Sequence, residues 1–265
     1  MRGWENGKKK MAGHSGCEVY LMKEQEVFVR KISANLQYNS RLENQMKKQQ
    51  SFHSSIIKKP AVFSHGYNCD GLFYFDMEYI KGTSFFEYLQ KQSIDSAKTK
   101  FQAILDYICE SNEISEDIAL DITNKVDSLK LHPRFDVYKE YCLDFTWNKI
   151  NKSYCHGDLT FENIIISNEQ IYFIDFLDSF TDTKLIDYSK IFQELYTFWS
   201  FRNKNKKFNI KYVILDEMVA LSLLHRQATI RLLILNLLRI IPYSKQKGCD
   251  FLDEQIRYIL DSKNE

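Results

Sequence analysis

The sequence predicts an α+β fold with two lobes, an N-terminal β-sheet lobe and a larger helical C-terminal lobe with one embedded β-hairpin. Short β-like runs dominate as far as residue 82, and helical periodicity dominates from residue 83 onward. The chain has only nine Gly and three Pro in 265 residues, and this scarcity of helix breakers favours long helices. We therefore assign residues 1–82 to the N-terminal lobe and residues 83–265 to the C-terminal lobe.

Composition and charge exclude several classes of protein. Lys and Arg number 36 against 35 Asp and Glu, and 44% of the residues are hydrophobic, which is unlike a disordered chain or a dedicated nucleic-acid binder. The polar, Lys-rich start has no apolar segment behind it and does not resemble a secretory signal. The six cysteines show no paired spacing, which predicts reduced, mostly buried thiols. We therefore expect a cytoplasmic protein with no nucleic-acid partner.

Short runs of β-forming residues define the N-terminal lobe. Polar turn sequences at 23–25 and 68–71 separate pairs of such runs, which is typical of β-hairpins. The predicted elements are strands at 18–22, 26–31, 61–63 and 72–78 and a polar helix at 41–52. This lobe is therefore expected to be mainly a β-sheet with one helix.

Apolar residues at helical spacing define the C-terminal lobe. They recur at i, i+3, i+4 and i+7 between residues 101 and 108, at helical spacing between 118 and 126, and in a long run at 185–198. The apolar stretch 212–241 is interrupted by charged residues, so we predict a buried helix pair and no membrane insertion. Residues 164–175 break the helical pattern as a β-hairpin with a polar turn at its centre.

The strongest chemical signal lies on either side of that hairpin. His156-Gly157-Asp158 is followed by Asn163, five residues after the Asp, and by Asp175 after the hairpin. This spacing lets Asp158 and Asn163 point into one cleft, and the hairpin returns Asp175 to the same place. Two carboxylates and an amide oxygen are hard ligands that suit Mg²⁺. The protein-kinase catalytic loop has the same spacing, H-x-D-x-x-x-x-N with a downstream Asp.

These residues resemble the aminoglycoside phosphotransferase and choline kinase family of small-molecule kinases. In that family the loop reads H-G-D with Asn five residues after the Asp, and the next strand ends in I-D-F or I-D-W. The chain has Ile174-Asp175-Phe176 at that strand end, and Gly157 stands where protein kinases usually have Arg. The resemblance implies a protein-kinase-like two-lobe fold. It also implies that Asp158 is the catalytic base.

The resemblance extends to the supporting residues of the loop. It implies that Asn163 and Asp175 hold Mg²⁺ and that His156 supports the catalytic loop. Downstream, Leu185-Ile186-Asp187 is similar to the acidic segment that braces this loop in the family. The alternative for Asp187 is an acid that only favours the start of a helix.

A kinase needs a cation from its third strand to neutralise the nucleotide phosphates. Arg30 and Lys31 are adjacent, and side chains alternate along a strand, so only one of them faces the cleft. We favour Lys31, because Val27 and Val29 on its face form a small apolar surface that suits adenine. Arg30 stays the alternative. Glu43 is the only acid of its predicted helix and is expected to pair with the cation.

The loop at 13–16 is similar to the phosphate loop of the family. It contains Ser15 and Gly16, and its small residues before a strand would let backbone N–H groups approach phosphate. The loop has no complete G-x-G-x-x-G, so a plain N-terminal turn is the alternative.

The segment 75–82 resembles the hinge of the family, an apolar strand that ends in x-Met-Glu-x-x-x-Gly. By position, the Glu78 carbonyl and the Ile80 amide would bind adenine, and Met77 would lie near the ring. The alternative is an ordinary strand end.

The resemblance implies a phosphotransferase that moves the γ-phosphoryl group of ATP, with Mg²⁺, to a hydroxyl of a small polar acceptor. Candidate acceptors are a sugar, an amino alcohol such as choline, or an aminoglycoside. The segment 174–180 looks most like kinases encoded with bacterial surface-polysaccharide genes. A candidate box for a quaternary ammonium group consists of Trp147, Tyr196, Trp199 and Tyr243. The alternatives are a nucleotide-binding protein with a scaffold or regulatory role and a protein kinase.

Overall fold

The computed structural model describes residues 7–11, 16–202, 210–222 and 225–263. Its strands are β1 (Lys8–Lys10), β2 (Cys17–Lys23), β3 (Val27–Ser33), β4 (Ile57–Lys58), β5 (Val62–Tyr67), β6 (Phe73–Glu78), β7 (Thr83–Ser84), β8 (Glu113–Asp117), β9 (Asn151–Ser153), β10 (Ile164–Ser167) and β11 (Gln170–Phe173). Its helices are α1 (Asn39–Ser51), α2 (Phe85–Lys91), α3 (Ile94–Glu110), α4 (Ala119–Ser128), α5 (Asp136–Leu143), α6 (Lys184–Thr197), α7 (Ile210–Ser222), α8 (Arg226–Leu238) and α9 (Gln246–Lys263). The predicted α+β class is confirmed.

The chain divides into two units. Unit 1 consists of Met1–Ser84 and Asn163–Asp178, and unit 2 consists of Phe85–Glu162 and Ser179–Glu265. The β10–β11 hairpin therefore groups with the N-terminal sheet, although it lies within the helical half of the sequence. The lobe boundary expected after residue 82 stays a prediction.

Unit 1 is built on a five-stranded antiparallel sheet in the order β1-β2-β3-β6-β5. One face of this sheet packs against α1, because alternate apolar residues of β3 and β6 meet the apolar face of the helix. The core between them includes Val29, Leu42, Met46, Phe75 and Met77, all buried. The side chain of Asn39 ties the start of α1 to the β5–β6 hairpin, since it donates to the Gly71 carbonyl and accepts from the Phe73 N–H.

A second sheet of unit 1 has the order β4-β11-β10-β7. Its centre is the β10–β11 hairpin, in which Ile164 pairs with Phe173. The two turn residues, Asn168 and Glu169, have φ values of 47° and 61°, as a tight two-residue hairpin turn requires. This register places Asn163, just before β10, and Asp175, just after β11, at the same open end of the hairpin.

Gly82, predicted to close the hinge, lies where two backbones approach closely. A Cβ atom at this position would come within 2.5 Å of the Ile166 carbonyl oxygen and of Ile165 Cγ2. Only glycine avoids this overlap with β10, so packing alone accounts for the residue.

Unit 2 is helical and is organised around α6. This helix packs against α3, α7, α8 and α9, and its residues from Leu185 to Thr197 are all buried. The small antiparallel β8–β9 ladder lies in the same unit. The apolar run 212–241 forms α7 and α8, as the sequence predicts. A buried helix such as α6 has polar side chains only where they find partners.

No helix in the described part of the chain is long and apolar enough to cross a bilayer. The six cysteines are free thiols, as expected. Three of them, Cys17, Cys142 and Cys155, are buried, whereas Cys69 and Cys109 are exposed, so burial is less general than predicted.

Candidate active site

The predicted site residues fall in both units. In unit 1, Lys31 Nζ lies 2.5 Å from Asp175 Oδ1, although the two residues are 144 positions apart in the sequence. Lys31 is 3% exposed. Burial by itself lowers the pKa of its ammonium group, but the Asp175 carboxylate, together with Cys17 and Tyr38, outweighs burial and the pKa is raised. A fully charged lysine is thus held beside the predicted metal-binding carboxylate.

Arg30, the alternative to Lys31, points to the opposite face of the sheet. Its Nε and Nη2 donate to the two carboxylate oxygens of Asp76 at 2.6 and 2.7 Å. These two residues are directly opposite each other on β3 and β6. Because side chains alternate along a strand, only one of the two adjacent cations can face Asp175, and the structure shows that it is Lys31.

Asp175 has a backbone conformation that non-glycine residues rarely adopt, with φ of +62°. Asp and Asn tolerate this left-handed region better than most residues, but it still costs free energy and tends to occur at functional sites. The carbonyl of Asn163 accepts the N–H of Ile174 at 3.0 Å, so the residue before the hairpin and the residue after it are adjacent. The hairpin thus brings the two predicted metal ligands, Asn163 and Asp175, to the same end of β10 and β11.

The expected pair between Glu43 and the strand cation is wrong. The carboxylate of Glu43 lies 2.7 Å from Lys47 Nζ, one helical turn away, and this contact lowers the pKa of Glu43. The buried face of α1 consists of Leu42, Gln45, Met46 and Gln49. Glu43 lies roughly 110° around the helix from the centre of that face, at 100° per residue, and therefore points away from Lys31. Asp175 takes the place expected for Glu43.

The predicted hinge begins at the end of β6. Met77 is buried in the core of unit 1, where Gln49 Nε2 on α1 lies 3.5 Å from its sulfur. The backbone N–H of Glu78 donates to the Ala61 carbonyl, and the side chain of Glu78 is exposed. The half-buried Ile80 follows in an irregular segment that connects β6 to β7. Adenine binding by these residues stays a prediction.

The predicted phosphate loop is only partly covered by the structure. Ser15 lies outside the described residues. Gly16 is exposed, and its carbonyl accepts the N–H of Ala34 just after β3. The role of this loop in phosphate binding stays a prediction.

In unit 2, the predicted base Asp158 is held by a lysine that the sequence analysis did not identify. Lys190 Nζ lies 3.0 Å from Asp158 Oδ1, and the two side chains are 10% and 31% exposed. Burial raises the pKa of the Asp158 carboxyl, but the adjacent Lys190 ammonium group, with smaller electrostatic contributions from His156 and Arg239, outweighs burial and the pKa is lowered. Asp158 is therefore kept as an anion that can accept a hydrogen bond or a proton.

The loop before Asp158 is braced by Asp187, as expected from the resemblance. The two carboxylate oxygens of Asp187 accept the N–H groups of His156 at 2.7 Å and Gly157 at 2.9 Å. His156 is fully buried, and its Nδ1 accepts the N–H of Asp158 at 3.2 Å. Through these hydrogen bonds, His156 and Asp187 hold the backbone of the loop in place.

A second buried acid of α6 holds the other end of the loop. Glu194 accepts the N–H of Phe161 at 3.1 Å and both the N–H and the hydroxyl of Ser200 at 3.0 and 2.9 Å. Burial raises the pKa of Glu194 to about 7, although the contacts with Ser200 and Phe161 oppose this change. The residue links the segment that follows Asp158 to the turn after α6.

Sequence reasoning missed Lys190 and Glu194, although a signal for them exists. The run 185–198 reads as a buried helix, and Asp187, Lys190 and Glu194 are charged residues in it at i, i+3 and i+7. Charged residues on one face of a buried helix require partners, because an unpaired buried charge is costly. The spacing therefore indicates a polar face, but not which loop it contacts.

The burial of two of its residues argues against the proposed aromatic box. Trp147 and Tyr196 are 4% and 5% exposed, and they pack on Phe145 and Phe192 respectively. Tyr243 is 90% exposed. The buried residues Trp147 and Tyr196 therefore pack the interior of unit 2 and offer no open face to a quaternary ammonium group.

Comparison with known proteins establishes the fold of this chain. No protein-family model and no curated protein matches the sequence. Solved structures do match: aminoglycoside phosphotransferase APH(4)-Ia in ternary complex with AMP-PNP and hygromycin B has a TM-score of 0.72 at 11% identity, over 97% of this chain and 94% of that one. The chain has the fold of the aminoglycoside phosphotransferases.

Two further solved structures share this fold. The GDP complex of aminoglycoside 2'-phosphotransferase-IIIa matches 95% of this chain and 92% of its own, with a TM-score of 0.65 and 12% identity. A protein from Haemophilus somnus 129PT assigned as a fructosamine-3-kinase matches 96% and 90%, with a TM-score of 0.59 and 15% identity. The predicted protein-kinase-like fold is therefore confirmed, and the activity has to be argued from the site itself.

Proposed function

We propose that this protein is a small-molecule kinase that transfers the γ-phosphoryl group of ATP to a hydroxyl of a small polar acceptor. The contact between Lys31 and Asp175 carries the proposal. It joins a buried cation of β3 to the acid that follows β11, and phosphoryl transfer needs both a phosphate-neutralising cation and a metal-binding carboxylate. The shared fold with phosphotransferases that were solved with ADP, AMP-PNP or GDP supports it.

The chemistry assigned to this chain is a single displacement. The acceptor oxygen forms a bond to the γ-phosphorus, the bond between that phosphorus and the β,γ-bridging oxygen breaks, and ADP leaves. The hydroxyl proton passes to the Asp158 carboxylate, which is ionised because of its cationic neighbours. Lys31 would neutralise charge on the phosphates. The transition state is loose, so orientation of the hydroxyl matters more than the strength of the base.

The residues present fit a magnesium ion that is shared with a nucleotide. Within the described ranges, no group of three or more His, Cys, Asp or Glu residues could hold a metal. Mg²⁺ commonly binds through one or two carboxylates and completes its shell with substrate phosphates and water. Asp175 and Asn163 would hold it, and when bound it would neutralise charge that develops on the phosphates.

The acceptor is proposed only by class. One structural neighbour was solved with hygromycin B and another is assigned as a fructosamine-3-kinase, which supports a small polar molecule that carries hydroxyl groups. A sugar or amino alcohol of bacterial surface-polysaccharide metabolism is the finer proposal, and it rests on the sequence of the segment 174–180. The burial of Trp147 and Tyr196 argues against a choline box built from them.

The test is a screen of acceptors with wild type, Asp158→Ala and Asp175→Ala, followed by mass detection of phosphorylated product. We expect product with at least one sugar, amino alcohol or aminoglycoside. We expect Asp158→Ala to lower kcat by about 10²–10⁴-fold, the usual contribution of a general base, and Asp175→Ala to abolish turnover.

The control is Asp250→Ala, which removes an acid that is 55% exposed and paired with Arg134 on the surface of unit 2. This variant should retain wild-type kinetics. Full activity in Asp158→Ala or Asp175→Ala would overturn the assignment. Nucleotide binding without a phosphorylated product from any acceptor would favour a binding protein instead.

A further inference from the structure

Lys190 is a buried lysine whose contacts are directed at the predicted catalytic base. It lies on α6, its residue exposure is 8%, and its Nζ is 3.0 Å from Asp158 Oδ1. The same nitrogen lies 3.4 Å from Gln193 Oε1, an uncharged acceptor on the same helix. A buried lysine loses hydration and side-chain freedom, so it needs a compensating partner, and here that partner is the carboxylate of Asp158.

Lys190 is one of three residues by which α6 contacts the catalytic loop. Asp187, Lys190 and Glu194 share a helix face, because residues three and four positions apart are neighbours. They contact successive parts of the loop: the N–H groups of residues 156 and 157, the side chain of Asp158, and the N–H of Phe161. The outer two contacts fix the backbone of the loop, and the central contact fixes the orientation of a side chain.

We propose that Lys190 is a positioning residue for Asp158. Its ammonium group holds one carboxylate oxygen of Asp158, so that the ionised carboxylate faces the hydroxyl of the acceptor. This inference rests on the proposed function. It assigns to α6 a second role besides bracing the backbone of the loop, and it makes the phosphoryl transfer depend on a residue outside the H-G-D motif.

The charges around Asp158 explain why a cation is needed. Burial favours a neutral, protonated carboxyl group, and a protonated carboxyl cannot accept the hydroxyl proton. The groups that oppose this are Lys190 from α6, His156 from the loop itself and Arg239 just after α8. Lys190 forms an ion pair with this carboxylate at 3.0 Å.

Arg239 is held by other contacts. Its guanidinium lies 4.8 Å from the centre of the Phe180 ring and donates to Asn236 Oδ1 at 2.9 Å. Its positive charge adds to that of Lys190 near Asp158.

The experiment compares Lys190→Met and Lys190→Arg with wild type. The carboxyl carbon of Asp158 is followed by ¹³C NMR on chains labelled at aspartate, with Asp158→Asn used to assign the signal. The kinetics of phosphoryl transfer are measured on the acceptor found in the screen. Lys184→Met is the matched control, since Lys184 is a lysine of the same helix whose ion pair, at 2.8 Å, is with Glu113.

We expect Lys190→Met to raise the titration midpoint of Asp158 by about one pH unit or more, which corresponds to a tenfold change in the protonation equilibrium. We expect kcat to fall at least about tenfold, with KM for ATP within about threefold, because the lost interaction acts on the reacting hydroxyl. Lys190→Arg should recover part of kcat, and Lys184→Met should match wild type. If Lys190→Met does not fold, Lys190→Gln carries the same expectations.

An unchanged titration of Asp158 in folded Lys190→Met would overturn the inference. So would a raised midpoint with unchanged kcat, because the contact would then have no part in positioning. Failure of the proposed function has a different signature, the absence of product with wild type. In that case the titration still decides whether Lys190 holds Asp158 as an anion.

Discussion

At the level of single residues, each predicted catalytic or metal-binding carboxylate is held by a lysine from a distant part of the chain. Asp175 contacts Lys31 in unit 1, and Asp158 contacts Lys190 in unit 2. Both lysines are buried, so removing either carboxylate leaves a positive charge with little solvent around it. Neutral substitutions at these acids therefore test function best when stability is measured alongside.

Gly157 is required by the backbone of the catalytic loop. Its φ is +92°, and its N–H is held by Asp187 at 2.9 Å. A side chain in this region is strained, and each such residue costs about 1–3 kcal/mol. We expect Gly157→Ala to lower the free energy of unfolding by about this amount in urea denaturation, and to lower kcat because Asp158 follows directly.

The matched control for this prediction is Gly66→Ala. Gly66 lies in β5, its φ is not positive, and an added Cβ would meet only ordinary contacts with Tyr74 at 3.6 Å or more. Its stability should stay near that of wild type. Equal effects of the two substitutions would show that conformational strain at Gly157 is not the cause.

At the level of elements, α6 illustrates how a buried helix can carry polar side chains. Its apolar residues pack against the neighbouring helices, and its buried residues Asp187, Lys190 and Glu194 each find a partner on the loop 156–161. The arrangement follows from helical geometry, since seven residues at 1.5 Å each span roughly 10 Å. One helix can therefore hold several successive residues of a loop.

Glu194 makes the free energy of unfolding of the protein depend on pH. Its pKa in the folded protein is about 7, above its ordinary value of 4.5, so the folded state retains a proton that the unfolded state releases. The stabilising contribution is fully present below about pH 4.5 and is lost as pH rises through 7. We expect the free energy of unfolding of wild type, relative to Glu194→Gln, to fall by roughly 3 kcal/mol between pH 4.5 and 8.

This prediction is checked by urea denaturation of both chains across the pH range. Glu140→Gln, the same substitution at an exposed glutamate of α5, serves as the control. A constant difference between wild type and Glu194→Gln at all pH values would show that Glu194 titrates normally in the folded protein.

At the level of the whole molecule, the fold is shared with proteins that are only 11–15% identical in sequence. Such a fold depends on the pattern of apolar residues and turns rather than on particular side chains, and many side chains satisfy one pattern. A shared fold does not by itself establish an activity, so the function depends on the few residues around Asp158 and Asp175.

Nucleotide binding should stabilise the whole protein. A ligand that binds only the folded state at 100 times its Kd adds about 2.7 kcal/mol, and we expect a non-hydrolysable ATP analogue with Mg²⁺ to raise Tm accordingly. The increase should shrink with EDTA and vanish in Lys31→Met. Arg30→Met is the matched control, because Arg30 lies on the opposite face of the sheet and pairs with Asp76. If the increase in Tm were lost in Arg30→Met but kept in Lys31→Met, the assignment of the two cations would be reversed.

Local patterns in the sequence were sufficient for much of the fold and for part of the site. Strand alternation, helical periodicity and turn residues predicted the main strands, α1, α3, α4, α6 and the β10–β11 hairpin, since each signal lies within a few neighbouring residues. The spacing around that hairpin predicted that Asn163 and Asp175 meet, and the structure places them at one end of it.

The tertiary structure decided the pairing of charges. It showed that Lys31 rather than Arg30 faces Asp175, that Glu43 pairs with Lys47, and that Lys190 holds Asp158. The physical reason is the range of the interactions: periodicity is a property of adjacent residues, whereas an ion pair between distant residues depends on how sheets and helices pack. Sequence alone therefore determined which chemical groups are present and their local spacing, and packing determined which of them meet.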